Sequence, residues 1–179
     1  RYKASRQGKQ NLVFSYAPSP VSTGRMVADG RNGLLWDARL DNNDMQYAVR
    51  IRAINKGGSL SNEGGKLTVK GADEVVFLIS ADTDYKANNN PDYNDPKTYV
   101  GVDPLATTQD WVSKAEGKGY AKLLDEHYRD YSRLFNRVSL NLNDASHAND
   151  MPIDQRLANY RKGAKDFYLE QLYYQFGRY

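Results

Sequence analysis

The sequence contains no cysteine in 179 residues, which excludes disulfide frameworks, thiolate zinc sites and thiol nucleophiles together. Histidine occurs only as His127 and His147, and two distant imidazoles without a thiol do not predict a transition-metal site. Phosphate-cradling loops are also missing. Gly57-Gly58 and Gly64-Gly65 have neither the lysine nor the strand–loop–helix setting such a loop needs, and no cofactor is expected. No run approaches the ~18 apolar residues of a membrane span. No basic, apolar and small-residue opening marks a signal peptide in the residues shown. Charge of one sign is nearly absent as a feature, with 25 Lys/Arg against 22 Asp/Glu. The excess is uneven: ten basic against four acidic residues over 1–56, four against seven over 57–100, and eleven of each over 101–179. No stretch joins clustered Lys/Arg to a nucleic-acid reading motif, so nucleic acid is not an expected partner. A basic polyanion binder would rest on the pI of about 8.9 alone.

What the chain does have is aromatic mass. Fourteen tyrosines and five phenylalanines supply a core and argue against disorder. The first half reads as strands. Asn11–Ala17 is a short apolar run closed by Pro18-Ser19-Pro20, and Leu34–Leu40 is a second, entered through the turn signal Asn32-Gly33. Met45–Ile54 alternates with period two. Met45, Tyr47, Val49, Ile51 and Ala53 take one face, and the other face is expected to be wet. Asn55-Lys56-Gly57-Gly58 ends that strand, and Ser61–Gly65 reads as another polar loop. Lys66–Lys70 alternates again. Glu74–Ser80 is a continuous apolar run that suits a strand covered on both faces. Strands at this spacing with polar turns predict a sandwich.

The chain changes character near Asp84. Residues 83–103 form a long irregular segment, and loops of this length inside domains are usually functional sites or linkers. Beyond it the pattern is helical. Asp103-Pro104 supplies a cap and a first-turn proline for a helix running to about Lys118. Tyr120, Leu123, Leu124, His127, Tyr128, Tyr131, Leu134 and Phe135 then form an amphipathic stripe at helical spacing. Val138–Leu142 reads as a short strand, Asn143–Met151 as a polar loop and Ile153–Lys162 as a helix. Phe167–Phe176 reads as a last helix without a convincing end. Together with the Arg1 start, that end suggests a slice of a larger protein.

Several groups are candidates for chemistry. His127 lies beside Glu126, Asp130 and Ser132, but no positioned turn or oxyanion donors accompany it, so it reads as a core or interface histidine. Asp82-Thr83-Asp84 starts like a calcium loop, yet Lys86, Ala87 and Tyr93 stand where an EF-hand needs an acidic or amide residue, glycine and glutamate. A looser oxygen-ligand site from Asp82, Asp84 and Asp92 is the remaining metal reading, and a metal is not expected. Asp125, Glu126 and Asp130 look like the wet face of their helix. Tyr85, Tyr93 and Tyr99, set among Asn and Asp, have the apolar face and polar tip that suit sugar binding. The bland alternative has these rings pinning a linker to the sheet.

Five stretches together resemble family 95 of the glycoside hydrolases, the α-L-fucosidase type. They are Leu67–Tyr85, Asp103-Pro104 after the tyrosine-rich loop, Leu124–Leu140, Pro152–Leu157 and Tyr174–Tyr179. The resemblance implies an α+β chain: part of an antiparallel β super-sandwich over 1–84, a loop and helical linker over 85–150, and the first helices of an (α/α)6 barrel over 151–179. It implies hydrolysis of terminal α-L-fucosyl or α-L-galactosyl linkages by inversion, with a fucosylated glycan and the rest of the catalytic domain as partners. The matching acid and water-positioning residues would lie beyond Tyr179, so no catalytic residue is expected in this chain. Substrate contact is assigned to Tyr85, Tyr93 and Tyr99. The stripe through Leu123, Leu124, His127 and Tyr131 is expected to lock sandwich to barrel. Ile153 stands where the family often has threonine, which weakens a helix cap. A periplasmic or extracellular bacterial location is expected. A non-catalytic carbohydrate-binding sandwich with a helical arm is the competing reading.

Overall fold

The computed structural model describes residues 1–95, 97–142 and 151–179. Its contacts divide the chain into two compact units, Arg1–Leu123 and Leu124–Tyr179. The fold is α+β, with antiparallel sheets followed by four helices.

The first unit holds eight strands, numbered in chain order: β1 (Tyr2–Lys3), β2 (Gln10–Ser15), β3 (Ser22–Ala28), β4 (Gly33–Leu40), β5 (Gln46–Lys56), β6 (Ser59–Glu63), β7 (Lys66–Ala72) and β8 (Glu74–Thr83). A five-stranded sheet has the order β1-β8-β5-β4-β3, and a three-stranded sheet the order β2-β7-β6. Period-two apolar residues meet between them. Leu34, Ile51 and Ala53 of the larger sheet and Leu67 of the smaller are fully buried. The Phe14 ring stacks on Phe77 at 4.8 Å. Each such leucine or isoleucine contributes about 1.5–3 kcal/mol by leaving water.

Three strands escape the sequence pattern. Ser61–Gly65 reads as a loop, but most of it belongs to β6. Gly64 and Gly65 both take positive φ, 56° and 71°, and form a tight two-residue turn that pairs Glu63 with Lys66. The segment β3 is polar and interrupted by Gly24, whose bare Cα lets the strand lie against Ala38. Two-residue β1 is too short to carry a pattern.

The face of β5 expected to be wet is covered. Ala48 and Arg50 are buried there, because helix α1 (Pro104–Glu116) packs across β5 and β8 with Thr108 and Val112 turned inward. As the sequence predicts, the Asp103 carboxylate accepts from the Leu105 N–H at 2.8 Å and Pro104 opens the helix. One carboxylate oxygen of Asp29 lies 2.8 Å from both Arg50 Nη1 and Arg52 Nη2, so the two buried guanidiniums share a counter-charge. Arg50 also donates to the Leu105 carbonyl, and Arg52 faces Glu116, so the cluster ties both ends of α1. The expectation that Glu74–Ser80 is covered on both faces holds only in part. Val75 is buried, whereas Ile79 is 61% exposed, because the narrower sheet stops short of it.

The second unit takes most of α2 (Tyr120–Phe135), with α3 (Ile153–Arg161) and α4 (Phe167–Arg178). Helix α2 has the boundaries its stripe predicts, but none of its residues is buried, and Leu124, Tyr128 and Leu134 are exposed. The Tyr131 ring lies 4.9 Å from both Phe135 and Tyr179, and the Arg178 guanidinium sits over Phe135 at 4.3 Å. Val138–Leu142 is not a strand. Among the described residues no strand pairs with it, and the Leu142 N–H donates to the Gln171 side chain. The loop expected over Asn143–Met151 lies outside the described residues except for Met151, and His147 lies outside them altogether. Pro152 is the N-cap residue of α3 and supplies no side-chain cap, while Ile153, expected to weaken a cap, is the first residue of the helix itself. Nη1 of buried Arg156 donates to both carboxylate oxygens of Asp166, at 3.0 and 2.8 Å, and the guanidinium lies over the Tyr168 ring. Asp166 also caps α4 by accepting from the Leu169 N–H.

Candidate functional site

The segment after β8 is irregular, as expected, yet it is closely stitched. At its base Asp84 is buried, and its carboxylate accepts from the Gln46 N–H while its own N–H donates to the Gln46 carbonyl. The two ends of the loop meet in a bridge between Tyr85 and Val100, and Lys86 N–H donates to Tyr99 O at 2.7 Å. Farther out, Asn88 donates to the backbone and side chain of Thr98, and Thr98 Oγ1 accepts from Asp92 N–H. Asn88, Asp92 and Asp95 each also accept a backbone N–H two residues on. Such local side-chain bonds are why Asn and Asp dominate this stretch.

This frame brings two of the three candidate tyrosines together. Tyr85 and Tyr99 stack with centroids 5.9 Å apart and planes 20° apart, and Tyr85 remains 57% exposed. Tyr93 stands apart on the loop, 86% exposed. The Asp84–Gln46 hydrogen bonds tie the base of the segment to β5, and the Asn88–Thr98 bonds tie its two limbs together. The arrangement is a firm aromatic step open to solvent, able to take the apolar face of a ring ligand.

Other candidates are not assembled. Among the described residues no group of three or more His, Asp or Glu is placed to hold a metal ion. Asp84 and Asp92 spend their carboxylates on backbone N–H groups. His127 is exposed and stacks on Tyr131 at 5.8 Å, without the geometry of a nucleophile's base. Asp125 and Asp130 pair with Arg129 and Arg133 on the exposed side of α2, the wet face the sequence implies.

Sequence reasoning missed a cavity of about 460 Å³ at one end of the sandwich, lined in part by Tyr16, Tyr47, Met45 and Thr83. Its tyrosines were legible only as strand residues. Burial, and then the neighbouring Tyr47, push the Tyr16 phenol above its ordinary pKa. The Asp29–Arg50–Arg52 cluster was also missed. Its one signal was a pair of arginines on alternate positions of an otherwise apolar strand.

A sandwich joined to helices, with an aromatic loop between, defines a class once each part is compared with known proteins. Residues 1–88 match the family model for the glycosyl hydrolase family 65 N-terminal domain, and residues 119–179 match that for the glycosyl hydrolase family 95 catalytic domain. Both halves therefore place the chain among the glycoside hydrolases. A probable alpha-fucosidase A of Aspergillus niger is 28% identical over 176 residues, covering 96% of this chain and 21% of that protein. Alpha-L-fucosidase 2 of Arabidopsis thaliana is 30% identical over 145 residues, covering 78% of this chain and 16% of that protein. A probable alpha-fucosidase A of Aspergillus oryzae is 29% identical over 125 residues, covering 68% and 17%. By these matches the chain is similar to glycoside hydrolases of family 95 of the α-L-fucosidase-like type. It spans about a fifth of the length of these relatives.

Proposed function

We propose that this chain is a supporting part of a glycoside hydrolase that removes terminal α-L-fucosyl or α-L-galactosyl groups by inversion. The observation that carries the reading is the match of residues 119–179 to the family 95 catalytic domain, together with relatives named as alpha-fucosidases. In inversion a carboxylic acid protonates the leaving oxygen while water attacks the opposite face of the sugar. Residues 1–84 supply the sandwich, 85–150 the loop and helical linker, and 151–179 the opening of the helical catalytic domain. The partners are a fucosylated glycan and the rest of that domain, which the exposed rings of α4, Tyr173 and Phe176, suit as a packing surface. Tyr85, Tyr93 and Tyr99 contact the glycan outside the point of cleavage. No catalytic residue and no cofactor is assigned to the chain. The location is periplasmic or extracellular. No described helix is long and apolar enough to cross a membrane.

The test is hydrolysis of an aryl α-L-fucoside by a protein carrying the chain with a complete helical domain, with the anomer followed by proton NMR. Release of β-L-fucose as the first product supports the reading. Release of the α anomer refutes inversion, and no release from any α-L-fucoside or α-L-galactoside refutes the activity. The 179-residue chain alone should release nothing. A second reading, a non-catalytic carbohydrate-binding module, draws on the exposed Tyr85–Tyr99 step. It predicts sugar binding by the isolated chain that Tyr85→Ala abolishes.

A further inference from the structure

The smaller sheet of the sandwich has three strands against five, so it covers the inner face of the larger sheet only around Leu34, Ile51 and Ala53. Toward the other end of β5 and β8 that face stays open. There the paired residues Tyr47 and Thr83 lie beside the 460 Å³ cavity, with Tyr16, Ser19, Leu40 and Met45 around it. We propose that this cavity is a second carbohydrate-contact site, which holds a neutral pyranose or short neutral glycan against Tyr16 and Tyr47. It needs no catalysis and does not rest on the hydrolase reading.

Four observations carry it. The volume falls in the ordinary range for small-ligand sites, about 300–1,000 Å³. The walls pair aromatic rings with hydroxyls, which matches a pyranose, whose C–H face is apolar and whose rim is hydroxylated. The Tyr47 ring is held in advance. Its hydroxyl accepts from Trp36 Nε1 at 2.9 Å and donates to Ser22 Oγ at 2.7 Å, and Ser22 donates onward to the Ser19 carbonyl at 2.8 Å. A wall fixed before binding loses little freedom on binding. Finally, among the described residues Asp82 is the one charged residue lining the cavity and no cation lines it, so the site suits a neutral ligand over an anionic one. Thr83 on the rim accepts from the Tyr85 N–H at 3.3 Å, so the cavity and the tyrosine loop meet at one turn.

The rival occupant is an extended peptide. Beyond the two residues paired to β1, the outer edge of β8 carries no described strand, and Ile79 stands exposed on it. The test separates the two. The ¹⁵N-labelled 179-residue chain is titrated with 2′-fucosyllactose, lactose and 3′-sialyllactose. The neutral sugars are expected to move the amides of Tyr47, Ala81 and Thr83 in a saturable way, with a dissociation constant on the order of 1 mM, and the anionic sugar to bind more weakly. Tyr16→Ala should weaken binding about fivefold. Tyr16→Phe keeps the wall and the fold while removing the hydroxyl, and should weaken it about twofold. Val13→Ser, on an exposed part of β2, should change nothing. The proposal fails if these amides do not respond, or if both Tyr16 variants bind like the parent. It also fails if the same amides shift with protein concentration alone, which assigns the edge to chain–chain pairing. Because binding is read without turnover, loss of this site leaves the hydrolase reading standing, and inactivity of the longer protein leaves this site standing.

Discussion

Replacing Asp29 by asparagine removes the single negative charge that two buried guanidiniums share. The side chain of Arg50 is 7% exposed and that of Arg52 15%, so water replaces the carboxylate poorly, least of all at Arg50. After the change Arg52 keeps Glu116, at 3.7 Å, and Arg50 keeps a carbonyl. Removing one partner of a buried pair costs about 3–5 kcal/mol, chiefly because the remaining charge is left uncompensated. Against a total stability of about 5–15 kcal/mol this is a large share. For a domain of this size it lowers Tm by roughly 6–20 °C. The assay is thermal unfolding followed by tryptophan fluorescence. Both tryptophans, Trp36 in β4 and Trp111 on α1, lie in the first unit, so the signal reports the sandwich and its helix. The reference is Arg39→Ala, which breaks an exposed pair with Asp44 and should cost about 1 kcal/mol or less. If Asp29→Asn unfolds no earlier than Arg39→Ala, the cluster is not what holds α1 to the sheet. A triple change of Asp29→Leu, Arg50→Met and Arg52→Met should recover most of the loss, because an apolar replacement leaves no charge stranded.

Three further outcomes follow from the same reasoning. Leu67→Ala opens a cavity at a fully buried position and should cost about 2–5 kcal/mol by urea unfolding. Asp166→Ala removes both the cap of α4 and the partner of Arg156, and should cost the helical unit about 3 kcal/mol or more, read as loss of helical circular dichroism on mild heating. A hydrogen bond from Arg1 holds the Glu74 carboxyl below its ordinary value. A lowered carboxylate pKa contributes stability above the unfolded value, and that contribution is lost as pH falls through the folded one. Glu74→Gln should therefore flatten the acid limb of a stability–pH curve slightly, and an unchanged limb would contradict the pairing.

Sequence reasoning worked where one physical signal dominated. Asp103-Pro104 marked the start of α1, and seven aromatic or aliphatic residues and His127 at helical spacing marked α2 from Tyr120 to Phe135. Burial was harder, because it depends on what lies opposite. The alternation in β5 showed which residues share a face but not that α1 would cover the second one, since Arg50 and Arg52 read as solvated until Asp29 is seen between them. The strand β6 was hidden because its neighbours, not its composition, make it a strand: Gly64-Gly65 folds it onto β7. At the candidate site the tyrosines were legible as residue types. Their separation into a stacked pair and a lone ring was not, because it is set by the Asp84–Gln46 and Asn88–Thr98 hydrogen bonds across the loop.

The carboxylates of the helical residues bear on where catalysis can occur. Glycoside hydrolysis needs two carboxyl groups facing each other across a sugar, roughly 5 to 9.5 Å apart, and the acid among them needs an environment that keeps its proton. Burial against apolar side chains provides that environment; exposure beside a guanidinium opposes it. On α2, Asp125 lies 2.7 Å from Arg129 and Asp130 lies 3.5 Å from Arg133, with all four side chains more than half exposed. On α1, Asp110 pairs with Lys114 at 2.6 Å in the same way. Asp166 is the half-buried exception, and both its oxygens are committed to Arg156 and one also to the cap of α4. These helical aspartates are thus engaged in ion pairs along or between helices and, at Asp166, in a helix cap, rather than facing one another across a cleft.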